Sequence, residues 1–139
     1  MKTVLIAEDN AVNRELLREL LEIRGYAVME ACNGVEALDQ IAKITPDILL
    51  LDLNMPVLDG LGTIERIRKN PTFRSLPVLA VTAYAMRGDQ EKILNAGFDG
   101  YLSKPINPIA LQQELERLLS NGSPERDPEN RADIARQGN

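Results

Sequence analysis

Two patterns of hydrophobic and polar positions alternate along the chain, because each short apolar run is followed by a segment with helical spacing. The five runs are mainly aliphatic, which is typical of strands buried in a parallel sheet. The second run is less hydrophobic and predicts an edge strand, whereas the third is the most apolar and predicts a central one. The predicted strands are residues 3–7, 27–31, 48–52, 77–82 and 100–103.

The segments between these runs predict helices with capping or breaking residues at their boundaries. The predicted helices run from the N-cap Asn10 to Gly25, from Asn33-Gly34 to a point before Pro46, from the 56–60 loop to Asn70-Pro71, around residues 88–96, and from Pro108 onward. Their apolar residues are expected to face the core: Val12, Leu16, Leu17, Leu20, Leu21, Val35, Leu38, Ile41, Ala42, Leu61, Ile64, Ile67, Ile109, Leu111, Leu115, Leu118 and Leu119.

Five strand–helix units joined by short connections predict an α/β fold, a doubly wound parallel sheet with helices on both faces. A Rossmann-like strand order and the flavodoxin-like order 2-1-3-4-5 are both compatible with this pattern. In either order, ligands bind at the carboxyl ends of the strands, where the strand order reverses. The candidate site therefore lies among residues 7–10, 52–60, 82–88 and 103–105.

Length and charge narrow the class of protein. The 139 residues predict one domain, over residues 1–120, followed at 121–139 by a polar tail that is either disordered or a short helix. Lys plus Arg minus Asp plus Glu is 16 − 21 = −5, which argues against binding to nucleic-acid backbones. The short apolar start does not resemble a signal peptide and no run is long enough to cross a membrane, so we expect a cytoplasmic protein.

The chain has no histidine, and Cys32 is its one cysteine. This excludes histidine-dependent triads, histidine metal sites, an internal disulfide and a cysteine-rich zinc site. The chain also cannot carry a phosphohistidine itself. Its chemistry must therefore use carboxylates, hydroxyls, lysine or a bound metal.

Polar residues lie at the predicted carboxyl ends of four strands. Glu8 and Asp9 follow the first strand, Asp52 ends the third, Thr82 ends the fourth and Lys104 follows the fifth. Three carboxylates brought together repel one another unless a cation lies among them, and an oxygen-only ligand set suits Mg²⁺. A metal beside a carboxylate, a lysine and a hydroxyl is typical of phosphoryl transfer.

Taken singly, these residues have simpler explanations. A lone aspartate at a strand end is usually a turn or helix cap, a threonine there bonds locally, and a lysine before proline is usually a solvated charge. The functional interpretation therefore depends on their falling at one edge of the sheet.

At these positions the chain resembles the response-regulator receiver domains of two-component signalling, the CheY-like family. The resemblance covers residues 1 to about 120, and within it residues 82–89 are most similar to single-domain DivK-type regulators and to hybrid-kinase receivers. The motifs that carry it are Val4-Leu5-Ile6-Ala7-Glu8-Asp9-Asn10, Leu51-Asp52-Leu53-Asn54-Met55-Pro56 with Asp59-Gly60, Val81-Thr82-Ala83, and Tyr101-Leu102-Ser103-Lys104-Pro105.

The resemblance implies the flavodoxin-like order and a phosphoryl group passed to Asp52 from the phosphohistidine of a sensor histidine kinase or histidine phosphotransfer protein. Lys104 and the Thr82 hydroxyl would each contact a phosphoryl oxygen. Mg²⁺ would be bound by Asp9, by Asp52 and by the backbone carbonyl of Asn54, with Glu8 acting through water.

The resemblance also implies a switch, in which Thr82 moves towards the phosphoryl group and Tyr101 turns into the vacated space. This would alter the surface of the fourth helix, fifth strand and fifth helix and so control the binding of a downstream protein. Further positions implied by the family are those that control phosphate access and a cis peptide bond. They are Asn54, Ala83 and Tyr84 for access, and Lys104-Pro105 for the cis bond.

These features predict a stand-alone, monomeric or weakly dimeric receiver that is a switch and not an enzyme, catalysing only its own phosphorylation and dephosphorylation. Two alternatives stay open. An aspartyl-phosphate hydrolase of the haloacid-dehalogenase kind is disfavoured, because its nucleophile ends the first strand and is followed two residues later by a second aspartate, whereas Asn54 stands there. A phosphorylation-independent docking module would lack one of the site residues, and none is missing.

Overall fold

A five-stranded parallel sheet lies at the centre of this computed structural model, which describes residues 1–83 and 87–121. The strands are β1 (Thr3–Ala7), β2 (Ala27–Ala31), β3 (Ile48–Asp52), β4 (Val78–Thr82) and β5 (Gly100–Ser103). The helices are α1 (Ala11–Ile23), α2 (Gly34–Lys43), α3 (Gly60–Lys69), α4 (Arg87–Asn95) and α5 (Pro108–Asn121). The strand order β2-β1-β3-β4-β5 confirms the flavodoxin-like alternative and shows that the Rossmann-like one is wrong.

Burial along the sheet follows the hydrophobicity of each strand. All five residues of the central β3 are buried, whereas the first four residues of the edge strand β2 are half-buried. Both predictions of strand position are confirmed. In the central strands alternate residues face opposite sides of the sheet, and each side needs its own apolar cover.

Helices supply that cover on both faces. On one face Ile41 of α2 and Ile64 of α3 pack in a core that contains Leu49 and Leu51. On the other face α1 and α5 close a second core around strand residues of opposite parity; this core includes Ile6, Leu50, Leu17, Leu21 and Leu115.

The predicted helix starts agree with the local hydrogen bonds. The Asn10 side chain accepts from the Asn13 N–H at 3.0 Å, and the Asn33 side chain accepts from the Glu36 N–H at 2.9 Å. Each bond satisfies an amide that the first turn of a helix leaves without an intrahelical partner. At the end of α1, Gly25 adopts φ +88°, a left-handed conformation that glycine accepts without strain.

Several helix residues predicted to face the core are exposed, so these predictions are wrong. The exposed ones are Val12, Leu16, Val35, Ala42, Leu61 and Ile109. Four of them are the second residue of their helix, which starts at the carboxyl edge of the sheet. The first turn projects past the strands there, so its apolar side chains find no sheet to pack against.

Two predictions fall outside the described residues. Tyr84 is one of the three positions assigned to phosphate access, and residues 122–139 are most of the predicted polar tail. Within the described residues, no helix is long and apolar enough to cross a membrane.

Candidate functional site

Three carboxylates meet where the strand order reverses, between β1 and β3. Glu8 and Asp9 directly follow β1, and Asp52 is the last residue of β3. One oxygen of each carboxylate lies within 4.8 Å of an oxygen of the other two. Glu8 and Asp52 are buried, whereas Asp9 is exposed. The sequence prediction that these acids converge is confirmed.

Lys104 joins this acid cluster from the far edge of the sheet. Its Nζ lies 3.0 Å from Glu8 Oε2 and 3.2 Å from Asp52 Oδ2. The Lys104 N–H donates to the Thr82 carbonyl at 2.8 Å, and the Lys104-Pro105 peptide bond is cis, as predicted. The two Nζ distances place the ammonium group directly against two of the three carboxylates.

Further hydrogen bonds orient the buried acids. The Asn54 N–H donates to Asp52 Oδ1 at 3.1 Å. Glu8 Oε1 accepts from the Asn10 N–H at 3.3 Å and from Asn13 Nδ2 at 3.4 Å. From the sequence, Asn13 had no predicted role in the site. Its position in the first turn of a helix that begins two residues after Asp9 was the signal that could have indicated one.

Burial and neighbouring charges raise the pKa values of both Glu8 and Lys104, although the balance of causes differs. Burial, together with the nearby Asp52 carboxylate, raises the pKa of Glu8, although the Lys104 ammonium acts against this. Burial alone would lower the pKa of Lys104, but its contacts with Glu8 and Asp52 outweigh that effect and raise the pKa. The ammonium is therefore charged at neutral pH and can offset negative charge in the cluster.

This donor set fits a divalent cation. One lysine facing three carboxylates leaves negative charge uncompensated, and carboxylate oxygens are the ligands that Mg²⁺ prefers. Asp9 is the most accessible of the three acids, so it can bind a hydrated ion from the solvent side. The residues present therefore suit Mg²⁺.

The loop after β3 folds back tightly on the end of that strand. A Cβ atom on Gly60 would lie 2.6 Å from the Asp52 carbonyl oxygen and 2.7 Å from Leu53 Cα. No side chain fits at that distance, so glycine allows the first turn of α3 to pack against the backbone that carries Asp52.

The remaining predicted site residues lie around this cluster. Thr82 is buried at the end of β4, in register with Ser103 of β5, and Tyr101 is half-buried on β5 with its ring against the core. Asn54 and Ala83 are exposed at the same edge of the sheet. The structure thus places Thr82 and Tyr101 on neighbouring strands.

A shallow apolar pocket of about 360 Å³ opens beside the acid cluster, between α1 and the loop that follows β5. Leu16 and Leu17 line it from α1, and Pro105 and Ile106 line it from the loop. Val12 lies one turn before Leu16 and is 74% exposed. Apolar side chains are therefore exposed next to the charged site.

A doubly wound 2-1-3-4-5 sheet with an acid–lysine cluster at its carboxyl edge defines a CheY-like receiver domain. Comparison with known families agrees, because residues 4–116 match the model of the response regulator receiver domain. The chain belongs to the response-regulator receiver family of two-component signalling. Phosphoryl acceptance, and interaction with histidine kinases or phosphotransfer proteins, are general behaviour of that family.

Individual relatives support the same assignment. The chain is 42% identical over 120 residues to the polar-differentiation response regulator DivK of Brucella anthropi, covering 86% of this chain and 98% of DivK. A response regulator from Chloroflexus aurantiacus matches with a TM-score of 0.82 at 35% identity, covering 86% of this chain and 98% of that one. The receiver domain of a sensor histidine kinase from Pseudomonas aeruginosa matches with a TM-score of 0.80 at 35% identity and the same coverages, and its structure has a magnesium ion coordinated in the active-site cleft.

Proposed function

We propose that Asp52 accepts a phosphoryl group from the phosphohistidine of a histidine kinase or histidine phosphotransfer protein. The observation that carries this proposal is the position of Asp52 in the acid cluster, with its carboxylate 3.2 Å from Lys104 Nζ. Asp52 also ends the central strand, opposite Val81, so that Thr82 lies one residue further along the neighbouring strand. The Lys104 ammonium thus contacts this carboxylate, and Thr82 ends the strand beside it.

The transfer itself needs little from the protein beyond position and charge. An Asp52 carboxylate oxygen attacks phosphorus, the bond from phosphorus to the donor's imidazole nitrogen breaks, and that nitrogen keeps the electron pair. The Lys104 ammonium then pairs with one phosphoryl oxygen and the Thr82 hydroxyl donates to another. These contacts offset the charge of an anion that an acidic site would otherwise repel.

We further propose that Asp9, Asp52 and the backbone carbonyl of Asn54 bind Mg²⁺, with Glu8 acting through a water molecule. The ion would supply charge neutralisation at the phosphoryl oxygens. The carboxylate cluster supports this ligand set, as does the position of Asn54, whose N–H already contacts Asp52. Exposed Asn54 and Ala83, together with Tyr84, are proposed to set how readily water reaches the aspartyl phosphate.

The proposed output is a change of surface that selects partners. When the Thr82 hydroxyl turns towards the phosphoryl group, Tyr101 on the next strand rotates inward and alters the face formed by α4, β5 and α5. The half-buried state of Tyr101 supports this, because the ring has both core contacts and solvent beside it. The receiver would signal by binding a different protein, without contacting DNA.

The phosphodonor is proposed to dock on the apolar residues beside the site. Val12 and Leu16 are exposed on α1, and Pro105 and Ile106 line the adjoining pocket. An apolar helical face on the donor would cover them and bring its phosphohistidine to Asp52.

The proposal is tested by replacing the acceptor. Asp52→Asn should lose phosphoryl uptake from a small-molecule phosphodonor with Mg²⁺, as measured by intact-protein mass spectrometry. Asp39→Asn, which changes an exposed aspartate of α2, should take up one phosphoryl group like the wild type. Continued labelling of Asp52→Asn at another residue would contradict the assignment.

A further inference from the structure

Arg14 of α1 makes a contact at the point where the pairing of β1 with its neighbour stops. The Glu8 N–H still donates to the Ala31 carbonyl of β2 at 3.0 Å. The Glu8 carbonyl, which begins the peptide unit leading to Asp9, accepts from Arg14 Nη1 at 2.8 Å. The Arg14 side chain therefore binds the Glu8 carbonyl, one residue beyond Ala7, the last residue of β1 that pairs with β2.

The guanidinium is itself fixed from a second direction. Arg14 Nε lies 3.1 Å from Glu30 Oε1 on β2, and the Arg14 side chain is 18% exposed. Because the planar guanidinium makes both contacts at once, its position is set by β1 and β2 together. The peptide unit between Glu8 and Asp9 is thus connected through Arg14 to both β2 and α1.

We propose that Arg14 is a positioning residue for the Mg²⁺ site, which fixes the Glu8–Asp9 peptide so that both carboxylates point into one cluster with Asp52. This inference rests on the proposed function of the cluster as a metal site. Groups that orient metal ligands without touching the ion commonly change metal affinity by about tenfold or more when they are removed. Arg14 would act on the ligands in this way although it carries a positive charge.

The charge of Arg14 makes the proposal easy to separate from a simple electrostatic effect. Removing a cation near a cation site lowers the repulsion, so electrostatics alone predicts that an uncharged variant binds Mg²⁺ more tightly. Loss of positioning predicts the opposite, because the peptide unit and its carboxylates become mobile. The two explanations therefore differ in the sign of the change in affinity.

The test is calorimetric titration of Mg²⁺ into metal-free protein. Arg14→Met should bind Mg²⁺ about tenfold more weakly than the wild type. Arg18→Met is the matched control, because Arg18 also pairs with Glu30, at 2.7 Å, but its other ion pair is with Glu22 and not with the site. That control loses the same charge and should bind Mg²⁺ as tightly as the wild type or slightly more tightly.

The possible results separate a failure of the positioning role of Arg14 from a failure of the Mg²⁺ site itself. If the wild type binds Mg²⁺ and Arg14→Met binds it equally or more tightly, the positioning role is overturned while the metal site stands. If the wild type binds no Mg²⁺, the metal site in the proposed function fails first. Urea unfolding without metal shows whether Arg14→Met is folded. If it is not, Arg14→Lys replaces it, because an ammonium that cannot make both contacts weakens binding, whereas a pure charge effect leaves affinity unchanged.

Discussion

At the scale of single residues, Glu8 shows how a functional site opposes stability. Its carboxylate is buried beside Asp52, and burial is the main cause of its raised pKa. Such a group favours folding while protonated and opposes it once ionised. The Lys104 contact and the hydrogen bonds from Asn10 and Asn13 reduce this cost without removing it. The acid is therefore held in place for a reason other than stability.

This gives a pH prediction for Glu8→Gln, which resembles the protonated acid. The folded-state pKa of Glu8 lies above its ordinary value of 4.5, so its stabilising contribution is fully present below pH 4.5 and is lost as pH rises through the folded-state pKa. In metal-free protein, Glu8→Gln should match the wild type at pH 4.5 and become progressively more stable than it towards pH 7.

Urea unfolding of both proteins across this pH range, with a chelator present, measures the difference. Saturating Mg²⁺ should reduce the advantage of Glu8→Gln at neutral pH, because the ion stabilises the wild-type carboxylate. An advantage that is constant with pH would contradict the link to Glu8 ionisation.

The sequence patterns predicted the acid cluster but not the residues that orient it. Glu8, Asp52 and Lys104 could be predicted because each ends or follows a recognisable strand. Arg14 could not, because a polar residue in a first helical turn is usually exposed, and the sequence does not show which backbone group it meets.

At the scale of elements, Asp99 connects the beginnings of β4 and β5 to two helices, α3 and α5. Its side chain is fully buried, and Oδ2 accepts from Arg68 Nη2 at 3.0 Å and from the Val78 N–H at 2.8 Å. The Asp99 carbonyl also accepts from Arg117 Nη2 of α5 at 2.8 Å. This anchor lies at the amino-terminal edge of β4 and β5, opposite the functional site.

Removing the Asp99 carboxylate should therefore destabilise the fold without affecting the site. Asp99→Ala leaves the Arg68 guanidinium without this partner and should cost about 3 kcal/mol of unfolding free energy. Urea unfolding measures the loss, and the Mg²⁺ affinity of the folded protein should not change. Glu65→Gln breaks the exposed pair with Lys69 and serves as the control with no measurable effect. A loss of Mg²⁺ affinity in folded Asp99→Ala would show that the two edges are coupled.

At the scale of elements, the sequence predicts what depends on neighbouring residues and fails for what depends on distant ones. Strand boundaries and caps are local, and the apolar runs and Asn10 predicted them correctly, except that β4 begins at Val78 and not at Pro77. The buried faces of the helices depend on where the sheet ends, so Val12 and Ile109 were wrongly assigned to the core. The pairing of Arg68 with Asp99 joins residues 31 positions apart and has no local signal.

At the scale of the whole molecule, parallel topology is what assembles the site. The carboxyl ends of β1, β3, β4 and β5 share one edge, so Lys104 meets Glu8 across 96 positions of sequence. The strand order could not be decided by periodicity, and the resemblance to receiver domains was needed to choose between the two orders. The same topology places the proposed switch on β4 and β5, next to the acceptor.

The switch predicts that Thr82→Ala separates phosphorylation from output. The variant keeps Asp52 and Lys104, so it should still take up a phosphoryl group, more slowly. Without the hydroxyl, the surface of α4, β5 and α5 should not change its hydrogen exchange when a beryllofluoride mimic of the phosphoryl group is added, whereas the wild type should. Ser103→Ala removes an exposed hydroxyl from the neighbouring strand and should behave like the wild type. An unaltered response in Thr82→Ala would contradict the proposed coupling.

The proposed function requires Asp52 to be the phosphoacceptor of a Mg²⁺-dependent receiver. The most direct measurement is to incubate the wild-type protein with a small-molecule phosphodonor, with Mg²⁺ or with a chelator, and to locate any adduct by peptide mass spectrometry. We expect one alkali-labile phosphoryl group on Asp52, formed with Mg²⁺ and strongly reduced without it. An adduct on Asp9 or Glu8, or one formed equally well in the chelator, would contradict it.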